Sequence, residues 1–170
     1  MKRINTFLLI CASFLMISFS AQAFMIEPYV GYEMGDYESH DASGFAYGAR
    51  LGFDLIPMFS FGAEYYSTKS TIKYPGASTD VTLTDIGAFA MVEFPVLIRA
   101  WFTYIIDSKG STSGSSDTKG TGTKIGVGYT GLPFVSLNFE LINRKFTERG
   151  STSISESGNT YLISLGLPLP

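Results

Sequence analysis

The chain has 170 residues with 12 Lys and Arg against 15 Asp and Glu, for a net charge of −3, and 45% of it is hydrophobic. That length suits one domain, and without a basic patch the composition argues against a nucleic-acid partner. The single cysteine, Cys11, excludes a disulfide framework.

The first 23 residues read as a cleaved signal peptide. Lys2 and Arg3 precede an apolar stretch from Phe7 to Phe19, and Ala21-Gln22-Ala23 supplies an A-x-A cleavage site. The stretch is short for a transmembrane helix, and Ile10, before Cys11, does not fit a lipoprotein signal. The mature chain, 24–170, is expected to start at Phe24, without thiol chemistry and with a net charge of −5. No later apolar run is long enough to span a membrane as a helix.

Three prolines, Pro57, Pro95 and Pro133, recur at intervals of 38 residues, each in a short apolar corner. Between the corners runs the same series: an alternating segment, a polar loop and another alternating segment. Alternation of period two marks strands. Eight are read: Ile26 to Met34, Gly44 to Leu55, Phe59 to Thr68, Thr82 to Phe94, Val96 to Ile106, Thr121 to Thr130, Val135 to Phe146 and Thr160 to Leu169. Long polar loops are expected over 36–43, 69–80, 107–119 and 147–158. The third, rich in Ser and Gly, is expected to be mobile.

The pattern predicts an all-β fold, an eight-stranded antiparallel up-and-down barrel. A soluble barrel would turn the apolar face inward, and a membrane barrel turns it to lipid. Three features favour lipid. Glycines such as Gly48, Gly52, Gly62, Gly126 and Gly128 fall on the polar face, where a narrow interior needs room for larger side chains. Tyr32, Tyr47, Tyr65, Tyr104 and Tyr161 fall toward the long-loop end of the apolar face, and Phe53, Phe59 and Phe94 toward the proline corners, as two interfacial girdles. Short turns and long loops segregate to opposite ends.

The polar face then places Glu27, Glu33, Asp54, Glu64, Asp85, Glu93 and Glu140 inside with Arg50, Arg99, Lys124 and Arg144. Unpaired, these groups would be costly to bury. Hairpins centred on the corners set Arg50 opposite Glu64, Glu93 near Arg99, Gly126 opposite Glu140 and Gly122 opposite Arg144. A lumen ion-pair network of Arg50, Glu64, Glu93, Arg99, Glu140 and Arg144 is expected, and a structural plug is favoured over an ion path.

Three motifs carry a family resemblance: Ile26-Glu27-Pro28-Tyr29-Val30-Gly31-Tyr32, Tyr47-Gly48-Ala49-Arg50-Leu51-Gly52-Phe53 and Tyr161-Leu162-Ile163-Ser164-Leu165-Gly166-Leu167. On these the mature chain resembles the small eight-stranded outer-membrane barrels of the OmpA/OmpX type. The resemblance implies a Gram-negative cell outer membrane, contact with its lipids and insertion by the barrel-assembly machinery.

Some barrels of this size modify lipid, and those need a histidine near a serine at the outer rim. The only histidine is His40, in the first long loop beside Ser39 and Asp41. His40-Asp41-Ala42 does not match the His-x-Ser motif of lipid A deacylases, so no catalytic residue is assigned. No cluster has metal-ligand spacing, and no cofactor is expected. The leading reading is a non-enzymatic outer-membrane protein with a structural or surface-interaction role. The alternatives are a rim enzyme acting through His40 and a narrow channel.

Overall fold

The structure, a computed structural model, describes residues 24–56, 58–112 and 116–169. The signal peptide, Cys11 and Pro57 lie outside the described residues. Eight strands follow in chain order: β1 (Phe24–Tyr37), β2 (His40–Ile56), β3 (Phe59–Tyr74), β4 (Ala77–Phe94), β5 (Ile98–Thr112), β6 (Thr118–Tyr129), β7 (Ser136–Arg149) and β8 (Thr152–Gly166). Each pairs antiparallel with its neighbour, and β8 returns to β1 to close the barrel.

Register follows from the hairpin corners. Arg50 sits opposite Glu64 and Gly52 opposite Gly62, Glu93 opposite Arg99, and Gly126 opposite Glu140. Bulges at Ile86/Gly87 and Ile105/Ser108 bend the wall without exchanging its faces.

The barrel is inside out relative to a soluble protein. Leu51, Phe102, Ile125, Leu141 and Ile163 are exposed on the outer wall, whereas Arg50, Arg99, Lys124, Glu140 and Arg144 are buried within. An apolar outer wall of this extent is stable in hydrocarbon rather than water, and the closed ladder leaves no strand edge unpaired in the bilayer.

The expected long loops are largely strand. β2 starts at His40, β3 continues to Tyr74, β4 starts at Ala77 and β7 continues to Arg149. The strands therefore run 12 to 18 residues, beyond the 9–12 or so that cross a bilayer. Above Met34, Phe45, Tyr65 and Ile106 the outward positions are mostly Ser, Thr, Asn, Lys and Asp. The hydrophobic alternation vanishes there although the pairing continues. Turns at this end are tight and polar: Glu38 (φ 49°) and Ser39 (φ 66°), Gly76 (φ 83°) and Gly150 (φ 59°) occupy the left-handed region, as two-residue hairpin turns require. In the third hairpin, residues 107–112 and 118–119 are strand, and 113–115 lie outside the described residues.

At the other end Met58 (φ 79°), Leu97 (φ 62°) and Phe134 (φ 65°) hold the left-handed region. For bulky residues that conformation costs roughly 1–2 kcal/mol each. The ladder requires it: the Met58 carbonyl accepts the Glu93 N–H at 2.8 Å, and the Leu97 carbonyl accepts the Thr130 N–H at 2.8 Å.

The closing seam is the shortest pairing of the barrel, from Tyr29↔Gly166 to Tyr37↔Gly158. Below it the tail continues the ladder: the Leu167 N–H donates to the Pro28 carbonyl at 2.9 Å, and Ile26 and Leu169 exchange both bonds. Pro28 has no N–H to return to Leu167.

Candidate functional site: the filled lumen

Inward positions alternate between glycines and large side chains, and this lets a narrow barrel be filled. A Cβ at Gly126 would fall on the Trp101 indole, and one at Gly48 would meet the Tyr29 ring. The glycines are the cradle, and the aromatic rings above and beside them hold the charges in place.

Arg50 is the hub of the lower cluster. Nη2 lies 2.6 Å from Glu140 Oε1 and 3.4 Å from Glu64 Oε1, and Nη1 lies 3.2 Å from Glu27 Oε2. Its guanidinium is sandwiched by rings, 4.3 Å from the Trp101 centroid and 4.6 Å from that of Tyr29. Lys124 Nζ adds a contact to Glu64 at 3.3 Å. Tyr29 donates its hydroxyl to Glu64 at 2.6 Å, and Thr103 donates to the other oxygen at 2.8 Å. Arg99 pairs with Glu27 and donates to Ser136 at 2.9 Å and Asn138 at 3.0 Å. Three cations thus face three carboxylates.

Arg144 belongs to a second, upper cluster. It lies 2.7 Å from Glu33 and 2.8 Å from Asp85. Tyr66 and Thr160 donate to Glu33, and Ser108 donates to Asp85 at 2.6 Å. Tyr29 and Tyr66, stacked with centroids 6.4 Å apart, form the layer between the clusters. The Lys124 ammonium caps the Tyr66 ring at 3.8 Å. An apolar cap of Tyr37, Ala42, Ile72, Leu83 and Phe146 closes the lumen above, and Phe89, Met91 and Trp101 pack below. Over the upper cap lies an open cup of about 440 Å³, rimmed by Arg149 and Glu156.

Of the six residues expected in one network, Arg50, Glu64, Arg99 and Glu140 meet in the lower cluster, and Arg144 stands apart in the upper one. Glu93 joins neither. Although opposite Arg99 in register, it is exposed and forms no ion pair among the described residues. It lies next to the turn, below the Met91–Trp101 floor, where the lumen opens to solvent. Arg99 instead reaches up to Glu27. Glu27, Lys124, Glu33 and Asp85 complete the clusters. Alternation places all four inside, but which pairs form depends on cross-lumen distances that register does not give.

Tyr32, Tyr47, Tyr65, Tyr104 and Tyr161 all point outward and are about half exposed. His40 lies at the β1–β2 turn, with Nδ1 2.9 Å from the Glu38 carbonyl and its ring 4.5 Å from that of Tyr74. Neither contact is with a serine or a carboxylate.

No protein-family model matches the chain, and no curated protein matches it. Solved structures do. Neisserial surface protein A is 20% identical, with a TM-score of 0.56 over 87% of this chain and 99% of that one. Ail, the attachment invasion locus protein of Yersinia pestis, is 10% identical, with a TM-score of 0.58 over 86% of this chain and 99% of that one. OprG from Pseudomonas aeruginosa is 8% identical, with a TM-score of 0.50 over 87% of this chain and 97% of that one. At these identities the likeness is one of architecture, and it agrees with the inside-out wall and the closed up-and-down topology: the chain has the fold of the small eight-stranded outer-membrane β-barrel proteins.

Proposed function

We propose that the protein is a non-enzymatic integral protein of the cell outer membrane, a plugged barrel that anchors four hairpins at the outer surface. The observation that carries this reading is the lumen. Nine charged side chains, Glu27, Glu33, Arg50, Glu64, Asp85, Arg99, Lys124, Glu140 and Arg144, would otherwise offer a polar path, yet all nine are buried, paired and roofed by apolar side chains. The role is structural support of the membrane and presentation of the hairpins to an external partner. The lipid wall meets outer-membrane lipids, with the five tyrosines at the outer interface, and insertion is by the barrel-assembly machinery.

The rim-enzyme reading gains no support from His40, whose imidazole is engaged by a backbone carbonyl and the Tyr74 ring rather than set to activate a nucleophile. The channel reading requires a continuous polar path that the two apolar layers interrupt. The test is reconstitution of the purified protein in planar bilayers, beside gel mobility of unboiled and boiled outer-membrane fractions. A heat-dependent mobility shift with no conductance steps supports the plug. Discrete steps that change with Glu64→Gln would replace it with a channel.

A further inference from the structure

The two ends of the barrel solve the same backbone problem with opposite side chains. At the hairpin end the left-handed positions carry Glu38, Ser39, Gly76 and Gly150; at the corner end they carry Met58, Leu97 and Phe134. Glycine or asparagine meets a left-handed backbone at lower cost than a bulky residue. The carbonyl contacts to Glu93 and Thr130 fix the backbone there, but they do not explain why its side chains are large and apolar. Nor does packing: Met58 is 48% exposed, Leu97 52% and Phe134 85%. Val96 and Ile56 beside them are equally open.

The height of the wall supplies the reason. A strand rises about 3.3 Å per residue, and at the tilt of such barrels, about 40°, it climbs about 2.5 Å along the membrane normal. An apolar band about 25 Å tall therefore takes about ten residues. Ten residues from the upper apolar limit on β2, Phe45, lead to Leu55. From Ile86 on β4 or Ile106 on β5 they lead to Val96, and from Leu141 on β7 to Gly131. On every one of these strands the band ends at the turn.

We infer that the three corner turns are immersed in the lipid of the periplasmic leaflet, with Met58, Leu97 and Phe134 inserted among acyl chains rather than projecting into the periplasm. The occupant is lipid because the apolar surface runs without a break from the outer wall onto the turns. The inward side of the same turns carries the polar groups, Asp54 held by Ser60 at 2.6 Å and exposed Glu93, which keep a wet lower vestibule. This inference rests on the membrane-barrel reading above.

The test is site-directed spin labelling in phosphatidylethanolamine–phosphatidylglycerol vesicles, with the mature chain, 24–170, which has no cysteine, as background. Single cysteines replace Met58, Leu97 and Phe134, with Leu51 as the wall control and Ser39 as the hairpin control. Labels at the three turns should collide with oxygen in preference to a water-soluble nickel chelate, as at Leu51, and the Ser39 label should do the reverse. Nickel-accessible turns beside a lipid-buried Leu51 would overturn this inference alone; a nickel-accessible Leu51 would overturn the membrane reading beneath it. Dipolar broadening between turn labels would assign the face to a second copy instead. Leu97→Asn and Phe134→Asn give an independent readout. Each relieves the backbone, so in water it would raise the urea midpoint, whereas immersed turns predict a lower midpoint in vesicles.

Discussion

Arg99 pairs with Glu27, 72 residues away in sequence, rather than with Glu93, which faces it across the β4–β5 ladder. The choice follows from where water is. Glu93 can be hydrated at the lower mouth, and Glu27 cannot, so the guanidinium is drawn to the carboxylate that has no other means of compensation than its neighbours.

Arg99→Leu should therefore cost about 3 kcal/mol, because it strips Glu27 of one of its two cations. Glu93→Gln should change stability by less than about 0.5 kcal/mol. Urea unfolding of both variants in vesicles, followed by tryptophan fluorescence, separates them. Equal losses would place Glu93 in the network after all.

Arg50→Leu should be the most damaging lumen substitution, by about 3–5 kcal/mol, since Glu27, Glu64 and Glu140 all lose a partner at once. Arg50→Lys should recover only part of this, because an ammonium cannot span three carboxylates and stack between two rings. The unfolding midpoints of the pair measure how much depends on the guanidinium's shape.

Leu51 adjoins Arg50 on the opposite face and is 47% exposed to the surroundings of the barrel. Leu51→Arg should cost about 2–4 kcal/mol at mid-depth and reduce the heat-shifted, folded fraction recovered from outer membranes. Ser151→Arg, at a hairpin tip, should leave that fraction unchanged.

Gly126→Ala tests the cradle. The new methyl would occupy space held by the Trp101 indole, and overpacking of this kind costs about 1–3 kcal/mol. Displacement of the ring should also shift the emission maximum of the chain's one tryptophan, a change that a loss of stability alone does not produce in the folded state.

Much of this architecture is legible in the sequence because strand period and hairpin corners are local signals. Arg50 opposite Glu64 and Gly126 opposite Glu140 need only a turn position and a count along two strands. The hairpin extensions are not legible in the same way. From Lys69 onward the outward positions are Lys69, Thr71 and Lys73, so pairing persists where the apolar outer face is gone. The division of the charges into two clusters is illegible for a different reason. It depends on Arg144 of β7 reaching Glu33 of β1 and Asp85 of β4, and on Arg50 of β2 reaching Glu140 of β7, across strands whose inward directions converge only once the barrel closes. Glu93 marks the limit of pattern reading: its parity is that of a lumen residue, but its depth is that of a mouth.

The seam has a consequence for how the barrel comes apart. One of the two hydrogen bonds between Pro28 and Leu167 is missing, and the β1–β8 pairing is shorter than every other. Cooperative opening should start there, with the wall parting along that line as a zip does while the other seven pairings hold. Amide exchange would be seen first in Val30 and Leu165, and the intermediate of thermal denaturation would be an intact, curled sheet rather than a scatter of separated hairpins.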